Sequence, residues 1–344
     1  MDLRRALGRL PRVRLAQLPT PLEPAPRLGS ALGGISIRVK RDDLTGLALG
    51  GNKARQLEYL LGEAIHRGAT AIITGAGVDS NHCRQLSAAC AKLGLRACLV
   101  FRGDQPARIE GNLLLDKLFG AECRFIPGER FYDEFDQVAS GWADTLSAQG
   151  EKPYVINTLG FDSHSVAVAA LGYVQAALEM EEQFDTLGWR PDVVYFCSGA
   201  ATQAGLALAR KCLGLPCRLI GISASPFITG KPAVIAQVAA RAARILDLDL
   251  TFQAAEICND DAYIGPGYGA LTAASVDALR LAARTEGLLL DPTYTAKALG
   301  GLVDHIAQGR VPADEKVLFI HTGGAPSLFL ARNETIGADA PPMR

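Results

Sequence analysis

The sequence predicts an α/β protein whose mostly parallel sheets are flanked by helices. Short, nearly continuous apolar runs at residues 71–75, 97–101, 192–197, 219–222 and 317–320 have the character of strands buried on both faces. Between such runs lie segments with apolar residues at three- and four-residue spacing, as in Leu57, Leu60, Leu61 and Ala64, which form one face of a helix. Strands alternating with helices in this way build βαβ units.

In chain order, Leu18-Pro19-Thr20-Pro21-Leu22 is an extended entry segment, because its prolines forbid a helix. Residues 35–40 alternate as a strand. A Gly-rich loop follows, and Lys53 stands at the mouth of the next helix. The strand at 71–75 leads through Ser80-Asn81-His82 to a helix over 84–93. A strand at 97–101, a helix from Gly111 to Phe119, a strand at 122–126 and a helix over 132–148 come next. Residues 154–157 read as a strand or sheet edge, and 163–184 as a long Ala-rich helix. After the 192–197 strand, 198–205 reads as a small-residue turn into a helix over 206–213. A strand at 219–222, a helix from Gly269 to Arg284 and a last buried strand at 317–320 complete the pattern.

The chain of 344 residues suits one large or two modest domains and buries a substantial core. Lys and Arg number 35 against 36 for Asp and Glu, so no basic surface points to nucleic acid. Every apolar run is broken by Gly, Pro or charge before it reaches membrane-spanning length. The Met-Asp-Leu-Arg-Arg start lacks a signal-peptide core, so a cytoplasmic protein is expected. The eight cysteines form no C-x-x-C pair, no metal site is expected, and reduced thiols are.

Lys53 is the first chemical candidate. A lysine beside the free N–H groups at a helix start sits at the positive end of the helix dipole, which favours the neutral, nucleophilic amine. The plain alternative is a solvated lysine after a turn. Residues 198–202 form a second candidate: small side chains between a strand and a helix allow close approach of an anion to backbone N–H donors, with Ser198 and Thr202 adding hydroxyls. Ser80, Asn81 and His82 suit recognition of a carboxylate at a helix start, although Asp79 or Ser80 could act there only as an N-cap. Tyr268 and Tyr294 follow Gly- and Pro-rich turns, and a phenol whose pKa is pulled toward neutrality serves as a general acid or base. Isolated tyrosines in such places are more often loop anchors.

Gly50-Gly51-Asn52-Lys53-Ala54-Arg55-Gln56-Leu57-Glu58 resembles the lysine motif of the D-cysteine desulfhydrase and 1-aminocyclopropane-1-carboxylate deaminase family, pyridoxal 5'-phosphate (PLP) enzymes with the tryptophan synthase β-subunit fold. The resemblance runs from about Leu18 to Leu328. It implies two domains, a larger one of residues 1–54 and 161–344 and a smaller inserted one of 55–160. It further implies PLP held as a Schiff base on Lys53 with Asn52 beside it, phosphate binding by Ser198, Gly199, Ala200, Ala201 and Thr202, and Asn81 near the PLP phenolic oxygen. Ala200 and Ala201 stand where the family usually has glycine. Ser80, Asn81 and His82 are implied to hold a small amino-acid substrate. Tyr294, Tyr268 and Ser80 join Lys53 as catalytic residues, and Thr322 is placed against the pyridine nitrogen. The deaminases carry a glutamate after the equivalent of Tyr294; Thr295 stands here. That difference, with His321-Thr322-Gly323-Gly324, favours the desulfhydrase branch over the deaminase branch. The first expectation is α,β-elimination from D-cysteine, giving pyruvate, ammonia and hydrogen sulfide, with L-cysteate sulfo-lyase action second and cyclopropane deaminase action third. A non-catalytic binding protein would need neither tyrosine. A homodimer is implied. The family's short turn after residue 154 is replaced by residues 157–164, where Asp162 and His164 either read a substrate tail or cap the following helix.

Overall fold

The computed structural model describes residues 3–159 and 163–330. The strands are β1 (Leu22–Pro24), β2 (Ser36–Lys40), β3 (Ala71–Gly77), β4 (Arg96–Arg102), β5 (Glu122–Ile126), β6 (Pro153–Val155), β7 (Val193–Ser198), β8 (Arg218–Ser223), β9 (Cys258–Asp260) and β10 (Lys316–Ile320). The helices are α1 (Leu3–Leu7), α2 (Pro26–Ala31), α3 (Lys53–His66), α4 (Asn81–Leu93), α5 (Gly111–Leu118), α6 (Phe131–Ala148), α7 (His164–Leu187), α8 (Ala200–Leu213), α9 (Lys231–Ile245), α10 (Ala273–Glu286), α11 (Thr295–Ala307) and α12 (Ala325–Leu328).

One sheet has six strands in the order β1-β2-β10-β7-β8-β9, and the other has four in the order β5-β4-β3-β6. Every pairing is parallel except β1 with β2. Both faces of each sheet are covered, and the side chains alternate between two cores, as the two-residue period of a strand requires. Val193, Tyr195 and Cys197 of β7, with Val317 and Phe319 of β10, point to the side of α10 and α11. Val194, Phe196, Leu318 and Ile320 point to the opposite side, toward α7, α8 and α9. In the smaller sheet, Ile73, Cys98 and Val100 meet Phe131, Phe135 and Trp142 of α6. Near-continuous apolar strands are the sequence-level trace of this double coverage.

Several boundaries differ from expectation. The helix after β7 starts at Ala200 rather than near 206. Ala200 and Ala201 are strong helix formers, and Gly199 alone makes the turn, so the expected long loop is already helix. The helix expected from Gly269 starts at Ala273, because Thr272 caps it by accepting from the Ser275 N–H at 3.1 Å. α4 begins three residues early, at Asn81, with Ser80 as its N-cap. α9, α11 and the short β9 have no counterpart in the sequence reading. Among the described residues no helix is long and apolar enough to cross a membrane.

Candidate active site

The carboxyl ends of the parallel strands, where helices begin and loops cross, enclose a cavity of about 240 Å³. This is where an open α/β sheet leaves room for a ligand. Lys53 lies on its wall as the first residue of α3. The preceding loop needs its glycines: Gly50 and Gly51 have φ of 67° and 124°. A Cβ on Gly50 would lie 1.8 Å from the Asp43 carbonyl oxygen. Arg84 Nη2 and Gln85 Nε2 of α4 both donate to the Gly50 carbonyl at 2.9 Å, and the Asn52 N–H donates to the Thr322 carbonyl at 3.0 Å. The loop is thus held by both halves of the fold. Burial lowers the Lys53 ammonium to a pKa of about 8. Desolvation is the main cause of that shift.

Beside the lysine loop, Ser198 ends β7 and the N–H groups of Ala200, Ala201 and Thr202 open α8, all on the cavity wall. Thr202 Oγ1 accepts from Asn52 Nδ2 at 3.3 Å and from Gln56 Nε2 at 3.2 Å, while Gln56 Oε1 accepts from Lys53 Nζ at 3.3 Å. Gln56, one turn past Lys53 on the same helix face, therefore ties the lysine to the anion cradle. The sequence reading assigned it no role, although the three-residue spacing was visible.

A further wall is the start of α4. Ser80 Oγ accepts from the Cys83 N–H at 3.2 Å, so it does cap the helix, and its own O–H remains available to donate. Asn81 Oδ1 accepts from Asn112 Nδ2 at 3.1 Å, which leaves the Asn81 amide N–H₂ as the group to offer a ligand. His82 is buried, and burial together with the nearby Lys53 cation drives its pKa down to about 3. Its Nε2 lies 3.4 Å from Thr74 Oγ1, whose proton is already given to the Ile156 carbonyl at 2.8 Å. Thr74 can only accept, so Nε2 carries the proton and the imidazole brings no positive charge to the cavity.

Tyr294 lines the cavity, and its hydroxyl is hydrogen-bonded to that of Tyr268, the rings meeting edge-on with centroids 5.9 Å apart. Tyr268 in turn hydrogen-bonds Asp79. These phenols are not pulled toward neutrality. Burial first, and then the Asp79 and Asp291 carboxylates, push both phenols up; Tyr268 adds to the rise at Tyr294, whereas the hydrogen bond with Tyr294 partly offsets it at Tyr268. Asp291 sets the position of Tyr294: its Oδ2 accepts the N–H groups of Thr293 and Tyr294 at 3.0 and 2.9 Å, and its Oδ1 accepts from Thr295 Oγ1 at 2.7 Å. Thr295 is thereby fully buried against Asp291. Neither aspartate was assigned a role in the active site from sequence, since an acidic residue before a turn has no distinctive spacing. Thr322 reaches the cavity as expected. His164 pairs with Glu63 at 2.9 Å, and Ser163 caps α7; of the 157–164 run, Gly160, Phe161 and Asp162 lie outside the described residues.

The family model described as "Pyridoxal-phosphate dependent enzyme" matches residues 13–323. The chain belongs to the pyridoxal-phosphate dependent enzyme family. It is 41% identical over 329 residues to the D-cysteine desulfhydrases of Salmonella typhi and Salmonella enteritidis PT4, covering 94% of this chain and 97% of theirs. Among solved structures it resembles an ACC deaminase homologue, with a TM-score of 0.87 and 35% identity over 97% of this chain and 98% of that one. A threonine deaminase from T.th., at a TM-score of 0.61 and 22% identity over 94% and 97%, shares the fold. The fold of this PLP-dependent enzyme is thus the tryptophan synthase β-like one.

The residues present fit the cofactor. A depressed lysine amine and a helix N-terminus flanked by hydroxyls line a single cavity, which suits an aldehyde at one end of a ligand and a phosphate at the other. Behind the enzyme's lysine, Arg55 is buried with its guanidinium forked onto two carboxylates. It donates to Asp42 at 2.8 and 3.0 Å and to Glu179 at 2.8 and 2.9 Å. Lys40, Thr20 and Tyr173 complete the cluster. This fixes the first turn of α3 to β2 and α7.

Proposed function

We propose that this PLP-dependent enzyme is a carbon–sulfur lyase acting on D-cysteine, releasing pyruvate, ammonia and hydrogen sulfide. The observation that carries the proposal is the single cavity that both Lys53 and Tyr294 line, in a chain aligned almost end to end with D-cysteine desulfhydrases. When bound, PLP supplies the electron sink that makes an amino acid's α-proton removable. Lys53, neutral above about pH 8, takes that proton. The Ser80 hydroxyl, the Asn81 amide and the backbone N–H groups opening α4 hold the substrate carboxylate. His82 braces that turn through Thr74. Tyr294, supported by Tyr268, gives a proton to the departing sulfur. Ser198 through Thr202 anchor the phosphate, and Thr322, a hydroxyl rather than a carboxylate, leaves the pyridine nitrogen neutral.

Two sheets drawn from separate stretches of chain support the division into 1–54 with 161–344 and an inserted 55–160, although α3 packs on α7 as well as α4. A cytoplasmic homodimer fits the exposed apolar side chains of Leu114, Leu118 and Phe329, where Leu330 packs beside Gly111 at the start of α5.

The decisive experiment offers D-cysteine, β-chloro-D-alanine, L-cysteate and 1-aminocyclopropane-1-carboxylate to the purified enzyme and reads keto-acid release. D-cysteine is expected to give pyruvate and sulfide fastest. α-Ketobutyrate from the cyclopropane, with no pyruvate from the other three, would overturn the proposal.

A further inference from the structure

The cavity contains a second buried amine that the reaction above does not use. Lys231 is the first residue of α9, is 7% exposed and lines the same cavity as Lys53. Its Nζ donates to Ser223 Oγ at 2.9 Å, and Ser223 donates onward to Asn259 Oδ1 at 2.7 Å. An ammonium has three protons to place, and among the described residues no carboxylate forms an ion pair with this one. The charged and titratable groups that bear on it are the Cys197 thiol and Asp261; burial lowers the Lys231 pKa, and burial likewise pushes the thiol up to about 12, so the thiol is uncharged. A buried cation held by one hydroxyl is unfavourable unless an anion joins it.

Strand register says which anion. Ser223 ends β8 directly opposite Ser198, the last residue of β7. Neighbouring strands lie about 4.8 Å apart. Lys231 Nζ therefore sits beside the foot of α8, while the α4 turn that suits a substrate carboxylate forms a different wall. A helix N-terminus supplies only about half a positive charge, too little for a phosphate dianion. We propose that Lys231, positioned by Ser223, is the cationic ligand of the cofactor phosphate and fixes the phosphate end of PLP at the start of α8.

The proposal rests on the reading of Lys53 as the PLP lysine, and borohydride reduction with peptide mapping checks that reading separately. A pyridoxyl label absent from Lys53 in the wild type would sink the parent reading, whereas Lys231 is judged by phosphate affinity alone. PLP and pyridoxal, which lacks the phosphate, are titrated into apoenzyme of wild type, Lys231→Gln, Lys231→Arg and Ser223→Ala. For Lys231→Gln the PLP Kd should rise about ten- to hundredfold, as for loss of a charge-assisted hydrogen bond, with pyridoxal affinity within twofold of wild type. Inorganic phosphate should compete with PLP in the wild type and lose that competition in the variant. Lys231→Arg should restore most of the affinity, and Ser223→Ala should lose less than Lys231→Gln. An unchanged PLP Kd, or an equal loss for pyridoxal, would overturn the proposal. An unchanged PLP Kd with a raised KM confined to L-cysteate would also overturn it and move Lys231 to the substrate's anionic tail.

Discussion

The hydroxyl of Tyr294 is hydrogen-bonded to the hydroxyl of Tyr268 at the edge of the cavity, and Tyr268 continues to Asp79. Two half-buried phenols and a carboxylate thus form a line that ends at the position assigned to the leaving group. Because both phenols are pushed up, each is protonated across the working pH range. A line of protonated hydroxyls delivers protons rather than collecting them.

Tyr294→Phe should leave PLP bound and the protein yellow while turnover falls by about a hundred- to ten-thousandfold. Tyr268→Phe should fall between this variant and wild type. Near-normal sulfide release from Tyr294→Phe would reduce Tyr294 to a loop anchor.

Asp79 tests the far end of the line. Burial raises its pKa above the ordinary 3.8, so it costs stability when ionised: the penalty is absent below the unfolded value and appears as pH rises through the folded one. Asp79→Asn should therefore raise the Tm at pH about 8, leave it unchanged near pH 3, and slow turnover. Thermal scans at both pH values read the sign, and equal shifts at the two would contradict the assignment.

Lys53 reports on cofactor capture. With its pKa lowered to about 8, the rate at which apoenzyme recaptures PLP should rise about tenfold per pH unit below that value and level off above it. A rate still climbing at pH about 10 would mark an ordinary solvated lysine. Lys53→Ala should abolish the borohydride-stable label altogether.

The cluster around Arg55 should govern acid stability. Arg55, with Lys40, holds Asp42 and Glu179 below their ordinary values of 3.8 and 4.5. The stability they contribute is present above those values and is lost as pH falls through the lowered ones. Arg55→Met should cost about 3–5 kcal/mol at neutral pH, since it leaves buried carboxylates short of a cation. Its urea midpoint should depend less on pH in the acid range than that of the wild type.

The buried strands were legible because double coverage writes continuous apolar runs, Ser198 and Thr202 because their motif sits at a strand-to-helix junction, and Lys53 and Tyr294 because each stands at a helix start after a Gly- or Pro-containing turn within a motif that resembles the family's. Gln56, Asp79, Asp291 and Lys231 were not. Each acts through a partner far along the chain or through burial, and neither leaves a periodic mark. The start of α8 was misplaced for a related reason: small residues suit a turn and a helix equally, and only the geometry of Gly199 distinguishes the two. The direction of the tyrosine pKa values was not legible, because burial, which dominates it, is a property of the assembled fold.

The pairing of β2 with β10 has a consequence in time. Ser36 through Lys40 align with Lys316 through Ile320, so the strand before the lysine loop, edged early by β1, finds its parallel neighbour only near the end of the described chain. The loop then rests on that neighbour's exit, where the Asn52 N–H meets the Thr322 carbonyl and a Cβ on Gly323 would lie 2.6 Å from Gly51 Cα. During synthesis Lys53 emerges early yet lacks this support until nearly all the remaining residues have followed. A chain stalled short of Ile320 therefore carries Lys53 without the strand and the Thr322 carbonyl on which its loop rests.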